Sequence, residues 1–226
     1  MEIKAIAHIE NDYKEKFGIP RQSGLVKSMI SRIMFETEYR DANAVRGLEE
    51  YSHLWLLWYF SENERAGWSP TVRPPRLGGN KRMGVFATRS PFRPNPIGLS
   101  CVELDRIEIS EEGPVIYVKG ADLMDGTPIL DVKPYVPYTD SHPEAESGFA
   151  ADVFDHHLEV EIDNEILEQI PVDKREALLE ILAQDPRPGY QRDPERIYGM
   201  EYGDRNIKFR AEENKIIVWR VEKKDV

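Results

Sequence analysis

Cysteine, long apolar runs and paired metal ligands are scarce in this chain of 226 residues. The single cysteine, Cys101, excludes an intrachain disulfide and a cysteine cluster, which favours a reducing, cytoplasmic location. The first residues lack the apolar core of a signal peptide, and no later run is long enough for a membrane helix, so we expect no membrane segment. The adjacent residues His156 and His157 point in different directions and make a poor metal pair, so we also expect no metal.

The sequence motifs of several large enzyme classes are missing as well. No GxGxxG follows a predicted strand, no P-loop occurs, and no GxSxG marks a nucleophilic serine. These absences argue against a Rossmann domain, a P-loop nucleotidase and an α/β-hydrolase. Many short segments separated by turn residues instead indicate a closed or nearly closed β structure. Its strands are predicted at residues 3–9, 26–35, 51–60, 83–88, 97–108, 114–119 and 129–132.

Two segments allow more detailed predictions. Tyr51–Phe60 is the most apolar run and is predicted to be a central strand buried on both faces. The clearest helix is predicted at Asp173–Ala183, with Asp173 as its N-terminal cap and Pro186 beyond its end. Strands predicted at residues 198–200, 207–210 and 215–221 complete a small α+β module in the C-terminal portion.

Acidic residues are absent from Arg65–Val102, although the whole chain has a formal net charge of -11. Proline and glycine are frequent in this stretch, which suits a shaped, non-helical loop rather than a charged helix face. The basic residues in it are Arg65, Arg73, Arg76, Lys81, Arg82, Arg89 and Arg93. A basic surface loop that merely contains many turns is the alternative interpretation.

Arginines occur on three loops that proline and glycine stiffen: Arg21 on the first, Arg89 and Arg93 on the second, and Arg187 on the third. The planar guanidinium suits phosphate or carboxylate recognition when a rigid loop aims it. An Asp-Gly-Thr-Pro turn at residues 125–128 adds a carboxylate. Together these loops fit a nucleotide-like ligand and a polyanionic partner.

Five segments together resemble the TsaA-like (YaeB) family, which includes TrmO-type tRNA methyltransferases. The segments are PRQSGLVKS, NAVRGLEEYSHLWLL, RPPRLGGNKRMGVFATRSPFRPNPIGLS, DLMDGTPILDVKPY and AQDPRPGY. The resemblance implies a mainly β protein with a non-Rossmann barrel that binds S-adenosylmethionine (SAM), a small α+β C-terminal domain and a homodimer. We predict the barrel at residues 1–140, a linker at 141–152 and the C-terminal domain at 153–226.

The resemblance also implies an activity, which is the SAM-dependent methylation of N6 of threonylcarbamoyl-adenosine at position 37 of tRNA. Two alternatives stay open: a sensor or regulatory module that binds SAM on the same barrel, and a methyltransferase that acts on a small molecule. A sensor has no need of a basic face or of the DPRPGY loop, so both features favour the tRNA enzyme. The C-terminal domain is predicted to complete the active site.

Site residues follow from the same resemblance. The positions implied for the cofactor are Pro20, Arg21, Gln22, Ser61, Glu62, Arg89, Leu99, Asp125, Gly126, Thr127 and Pro128. The resemblance implies a histidine at the position of Ser61, so this chain departs from the family pattern at that contact. The cations expected to contact tRNA are Arg73, Arg76, Lys81, Arg82, Arg93 and Arg187. The sequence singles out no general base, and the catalytic candidates are Asp125, Tyr135, Arg187 and Tyr190.

Overall fold

The computed structural model describes residues 2–63, 68–74, 81–153, 157–187, 193 and 195–224. The strands within these residues are β1 Ala7–Glu10, β2 Ile30–Phe35, β3 His53–Tyr59, β4 Thr71–Val72, β5 Met83–Gly84, β6 Ile97–Ser110, β7 Gly113–Lys119, β8 Pro128–Pro134, β9 Glu159–Ile162, β10 Tyr198–Tyr202, β11 Arg205–Glu212 and β12 Lys215–Lys223. The α-helices are α1 Pro137–Asp140, α2 Asn164–Leu167 and α3 Val172–Ala183. This composition confirms the predicted mainly β fold.

A closed antiparallel barrel forms the N-terminal portion, with its strands in the order β1-β2-β7-β6-β3-β8. Alternate residues of each strand point inward because successive side chains of a strand lie on opposite faces. Ile9, Ile33, Leu54, Leu56 and Ile116 are completely buried in its core. The ribbon β4–β5 is a separate two-stranded sheet in the basic stretch.

Four strand predictions need correction. β3 is not buried on both faces: its residues alternate, with Leu54, Leu56 and Trp58 buried and their neighbours partly or fully exposed. The prediction relied on the continuous apolar run, but only one face of a barrel strand points into the core while the other meets solvent or loops. The strand expected at residues 83–88 ends after Gly84, where a 3-10 turn at Val85–Ala87 begins. β1 and β2 begin at Ala7 and Ile30, several residues after their predicted starts.

The C-terminal portion is a four-stranded sheet in the order β10-β11-β12-β9, in which β9 runs parallel to β12. Helix α3 packs on this sheet through Ala177, Leu178, Ile181 and Leu182. The helix begins at Val172 with Pro171 as its N-cap, so the prediction that Asp173 caps it is wrong. Proline fixes its own φ and cannot accept a capping bond, and Asp173 instead lies in the first turn.

The connection between β1 and β2 belongs to the core of the C-terminal portion rather than to the barrel core. Tyr13, Val26 and Met29 are buried there, and Phe17 stacks on Phe209 with ring centroids 6.3 Å apart. The amide and hydroxyl of Ser28 both donate to Glu180 of α3, at 3.0 and 2.7 Å. The two portions therefore share a packed junction.

Gly18 lies where the β1–β2 connection approaches β10 too closely for a side chain. Its φ is +93°, and a Cβ there would lie 2.3 Å from Sδ of Met200.

The predicted linker contains little regular structure. Within residues 141–152, only the 3-10 turn that begins at Gly148 is regular, and α1 precedes it. The side chain of Asp140 in α1 accepts bonds from the Trp55 indole and the Val136 amide, both at 2.9 Å. None of the described helices is long and apolar enough to cross a membrane.

Candidate functional site

A cavity of about 540 Å³ opens where β3 ends and β6 begins. Its walls come from five parts of the chain that are distant in sequence: the β1–β2 connection, the end of β3, the basic stretch, the start of β6 and the segment before β8. The lining residues are Lys16, 19–22, 58–63, Thr88, Arg89, Arg93, Asn95, 97–99, Asp122, Met124 and Thr127. Its volume lies within the range of small-molecule sites.

An aromatic residue and a carboxylate, linked through a serine, lie along one side of the cavity. The indole of Trp58 donates to Oγ of Ser100 at 3.0 Å, and Oγ of Ser100 donates to Oδ1 of Asp122 at 2.5 Å. Gly98 pairs with Trp58 across the strands, and a Cβ at Gly98 would lie 2.2 Å from the indole ring. Glycine is thus required for the ring to lie flat against β6.

Asp122 is the titratable group that sequence reasoning missed. It lies between the buried residues Ala121 and Leu123, and burial raises the pKa of its carboxyl above the ordinary value. Bonds from the Ser100 hydroxyl and the Ser23 amide, together with the charge of Arg89, act in the opposite direction. The available signal was a carboxylate directly after a predicted strand and between apolar residues, but the nearby Asp-Gly turn was the stronger pattern.

Cations and amides form the rim of the cavity. Arg89 is exposed and donates from Nη1 to Oε1 of Gln22, which links the basic stretch to the β1–β2 connection. Arg93 donates from Nη1 to the carbonyl of Thr88 at 3.0 Å. Nζ of Lys16 donates to the carbonyl of Glu62. The rim therefore combines a cationic surface with loops that are tied to one another.

The C-terminal portion reaches this rim through Arg187. Nη2 of Arg21 donates to the Arg187 carbonyl at 3.1 Å. The Arg187 side chain is largely buried and forms two bonds to the carboxylate of Asp185, at 2.8 and 3.0 Å. Its guanidinium thus points to its own loop, and a role for it in tRNA binding or catalysis stays a prediction. Tyr190 lies outside the described residues.

Most of the positions predicted for the cofactor line this one cavity, and three do not. Those on the lining are Pro20, Arg21, Gln22, Ser61, Glu62, Arg89, Leu99 and Thr127. Asp125 and Gly126 form the turn before Thr127 and Pro128 begins β8, and these three residues are absent from the described lining. The turn is held to the β1 side by bonds from the Asp125 amide to the Tyr13 carbonyl and from the Gly126 amide to the Ile9 carbonyl.

Asp125 lies in the wall of a second cavity, of about 600 Å³, at the junction of the two portions. Its carboxylate accepts bonds from Nζ of Lys14 at 2.7 Å and from the Asn11 amide at 2.9 Å. Tyr135 lies at the other end of the barrel, where its amide donates to the His53 carbonyl and its ring contacts Trp55. The length of β3, roughly 20 Å, separates that end from the first cavity. The roles predicted for these two candidates stay untested.

Five of the six cations predicted for tRNA belong to the basic stretch of the sequence. Arg73, Lys81 and Arg82 are exposed, and Nη1 of Arg82 donates to Oγ1 of Thr71 at 3.2 Å. Arg93 lines the cavity itself. Arg76 lies outside the described residues. Their function as phosphate ligands stays a prediction.

Within the described residues, no group of three or more His, Cys, Asp or Glu side chains is arranged to hold a metal ion. His156 lies outside those residues, and Nδ1 of His157 lies 3.3 Å from Nε2 of Gln184. Cys101 on β6 is a free thiol, and burial together with the nearby Asp140 raises its pKa.

Two family models match most of the chain. The tRNA-methyltransferase O N-terminal domain matches residues 8–141, and the TrmO C-terminal domain matches residues 154–224. A tRNA (adenine(37)-N6)-methyltransferase of Escherichia coli is 44% identical over 218 residues, which cover 93% of each chain. A Pseudomonas aeruginosa relative whose name assigns it to the SAM-dependent methyltransferases is 39% identical and covers 91% of this chain and 90% of its own. The crystal structure of TrmO from Pseudomonas aeruginosa superposes with a TM-score of 0.79 at 32% identity, and the match covers 98% of each chain.

Proposed function

The chain belongs to the tRNA-methyltransferase O family, and from this premise we propose that it methylates N6 of the adenine at position 37 of tRNA with SAM as the methyl donor. The E. coli relative is named for this reaction, and other relatives are named as SAM-dependent or SAM-binding proteins. We further propose that the adenine carries a threonylcarbamoyl group, a homodimer is the active form, and the cytoplasm is its location. The lone cysteine agrees with that location.

The observation that carries the proposal is the first cavity, because its chemistry suits SAM. Trp58, Ile97 and Leu99 provide apolar surface of the kind that adenine packs against. Arg89 at the rim is a suitable partner for a carboxylate of the ligand. When bound, SAM supplies a methyl group on a sulfonium that a nitrogen lone pair can attack.

Asp122 acts in this proposal as a positioning residue. Its carboxylate accepts bonds from the Ser100 hydroxyl and the Ser23 amide, so it ties the floor of the cavity to the β1–β2 connection. The same connection carries Pro20, Arg21 and Gln22 to the rim. Much of the rate of a methyl transfer comes from the alignment of the reacting atoms, and rigid walls favour that alignment.

The proton on N6 must leave during the reaction. Asp125 already accepts bonds from Lys14 and Asn11 in the second cavity, and Tyr135 lies at the far end of the barrel. Glu62 and Asp122 are the carboxylates in the described wall of the first cavity. We assign to the protein the alignment of the acceptor, and the proton on N6 passes to solvent.

The test is methyl transfer with purified full-length protein, isotopically labelled SAM and tRNA from cells that lack this gene. Mass spectrometry of the digested nucleosides should find the labelled methyl on N6 of the adenosine at position 37. A protein that binds SAM but transfers no labelled methyl group to tRNA would contradict the proposal and favour a SAM sensor. If tRNA whose adenosine lacks the threonylcarbamoyl group is methylated as fast as tRNA that carries it, the threonylcarbamoyl part of the substrate assignment is wrong.

A further inference from the structure

Two large aromatic rings stand exposed on the basic stretch. Trp68, just before β4, is 52% exposed, and Phe86, in the turn after β5, is 71% exposed. Their rings are nearly parallel, with an interplanar angle of 23° and centroids 6.2 Å apart. Neither residue belongs to the core of the barrel or to that of the C-terminal portion. Exposed aromatic surface of this size, grouped together, is typical of a binding site.

Arg93 joins this aromatic pair to the first cavity. Its Cζ lies 5.9 Å from the centroid of the Phe86 ring, within cation–π range, while the residue also lines the cavity. The bond from its guanidinium to the Thr88 carbonyl fixes the side chain between the two features. A group that rests on the aromatic pair is therefore next to a group that enters the cavity.

The surroundings of the pair favour an anionic partner. The stretch from residue 65 to 102 contains no acidic residue, and Arg73, Lys81 and Arg82 are exposed on it. A twofold contact between two copies places the same patch against itself, which would bring these cations together. Aromatic faces among cations are instead the features by which proteins hold unpaired nucleotides, the bases by stacking and the phosphates by charge.

We propose that Trp68 and Phe86 form a stacking platform for the unpaired base that neighbours the acceptor adenine of the RNA. This inference rests on the proposed function and adds to it the surface that holds the acceptor in place. Stacking on a base is insensitive to salt and tolerant of base identity, whereas phosphate contacts are salt-dependent. The two kinds of contact can therefore be measured separately.

The experiment is equilibrium binding of the full chain to an RNA hairpin that carries the anticodon loop, over a range of salt concentrations. Trp68→Ala and Phe86→Ala should each weaken binding roughly tenfold without a change in the salt slope. Phe86→Tyr should restore the affinity because it keeps the ring. Arg82→Ala, by contrast, should lower the slope by about one unit. Trp219, 45% exposed on β12 of the C-terminal sheet, provides the matched control, and Trp219→Ala should bind as the wild type does.

A second hairpin, with an abasic nucleotide next to the acceptor, decides whether a base rests on the platform. With this RNA, Trp68→Ala and Phe86→Ala should cause no further loss relative to the wild type. Equal losses with both hairpins would overturn the proposal. So would sedimentation data in which the variants dissociate a dimer yet bind RNA with unchanged affinity, because the rings would then be a contact between copies. If the wild type neither binds the intact hairpin nor methylates full-length tRNA that carries threonylcarbamoyl-adenosine at position 37, the proposed function itself fails.

Discussion

The two hydrophobic cores of this chain differ in where their residues come from. The barrel core uses residues of the barrel alone, from Ile6 to Val132. The core of the C-terminal portion is completed by Tyr13, Val26 and Met29 of the β1–β2 connection. These three residues are not part of the barrel core. One wall of the first cavity is therefore anchored in the barrel, and the opposite wall, with Pro20–Gln22, is anchored in the other core.

This difference changes how the C-terminal portion contributes to the site. The sequence predicted that the barrel binds SAM by itself and that the DPRPGY loop of the C-terminal portion contacts the substrate. The packing of Phe17 on Phe209 and the bonds from Ser28 to Glu180 add a structural role, since they hold the segment that carries Pro20–Gln22 to the rim. We infer that a loss of C-terminal stability loosens the cofactor pocket from a distance.

The largest effect expected from a single change is at Phe209, which is completely buried and stacks on Phe17 and Tyr198. Phe209→Ala should reduce the free energy of unfolding by about 3–5 kcal/mol, because the cavity it leaves cannot collapse fully. It should also weaken SAM binding, although no part of the residue lines the pocket. Denaturant unfolding and calorimetry with SAM measure the two effects.

The control for this variant is Trp219→Ala on the exposed side of the same sheet, which should change stability by less than about 0.5 kcal/mol. A Phe209→Ala protein that is destabilised yet binds SAM with wild-type affinity would break the proposed link between the C-terminal core and the pocket.

A second comparison concerns two arginines, one at the rim and one on the barrel wall. Arg89→Ala should weaken SAM binding by roughly ten- to a hundredfold, since a charged hydrogen bond contributes about 1.5–3 kcal/mol. Arg106 is paired with Asp105 and Glu108 on β6, and its Cζ lies 3.5 Å from the centroid of the Tyr117 ring. Arg106→Ala should leave SAM affinity unchanged, and equal effects of the two changes would mean that the rim takes no part in binding.

Asp122→Asn should weaken SAM binding roughly tenfold, because the amide keeps the size of the side chain but accepts bonds from Ser23 and Ser100 less strongly. Ser100→Ala, which removes the other end of the same bond, should have a smaller effect in the same direction. If Asp122→Asn binds SAM as the wild type does while Ser100→Ala does not, the carboxylate is dispensable for holding the wall.

Asp122 also predicts a pH dependence of stability. Burial raises the pKa of this carboxyl in the folded chain, so the folded state binds the proton more tightly than the unfolded state. The stabilisation is complete below the unfolded pKa of about 4 and is lost as the pH rises through the folded pKa. The free energy of unfolding of the wild type relative to Asp122→Asn should therefore fall from about pH 4 upward. A relative stability that rises over this range would contradict the assignment.

The smallest effect is expected for an ion pair across the junction, in which Nζ of Lys174 lies 2.8 Å from Oδ1 of Asp12. Both side chains are partly exposed, so Lys174→Ala should reduce stability by less than about 1 kcal/mol. Lys215→Ala, which removes a bridge to Glu161 within the C-terminal sheet, should behave alike. A much larger loss for Lys174→Ala would show that charge, rather than apolar packing, holds the two portions together.

Sequence patterns predicted what is local in this chain and missed what depends on closure of the barrel. The loop at Pro20–Gln22 and the strands that flank the basic stretch follow from proline, glycine and alternation. The burial of Asp122 depends instead on the approach of Ser23 and Ser100, which are far away in sequence. The family resemblance assigned Asp125 to the cofactor, and its carboxylate accepts a bond from Lys14 in the second cavity, so that assignment stays a prediction.

The measurement that tests the account most directly is hydrogen exchange of the full chain with and without SAM. Bound SAM should slow exchange in the β1–β2 connection near Gln22, near Arg89 and at the start of β6, which together line the first cavity. In Phe209→Ala the protection near Gln22 should be lost, while that at the start of β6 persists. Protection of Lys14, Asp125 and Lys174 around the second cavity instead would contradict the assignment of the cofactor pocket.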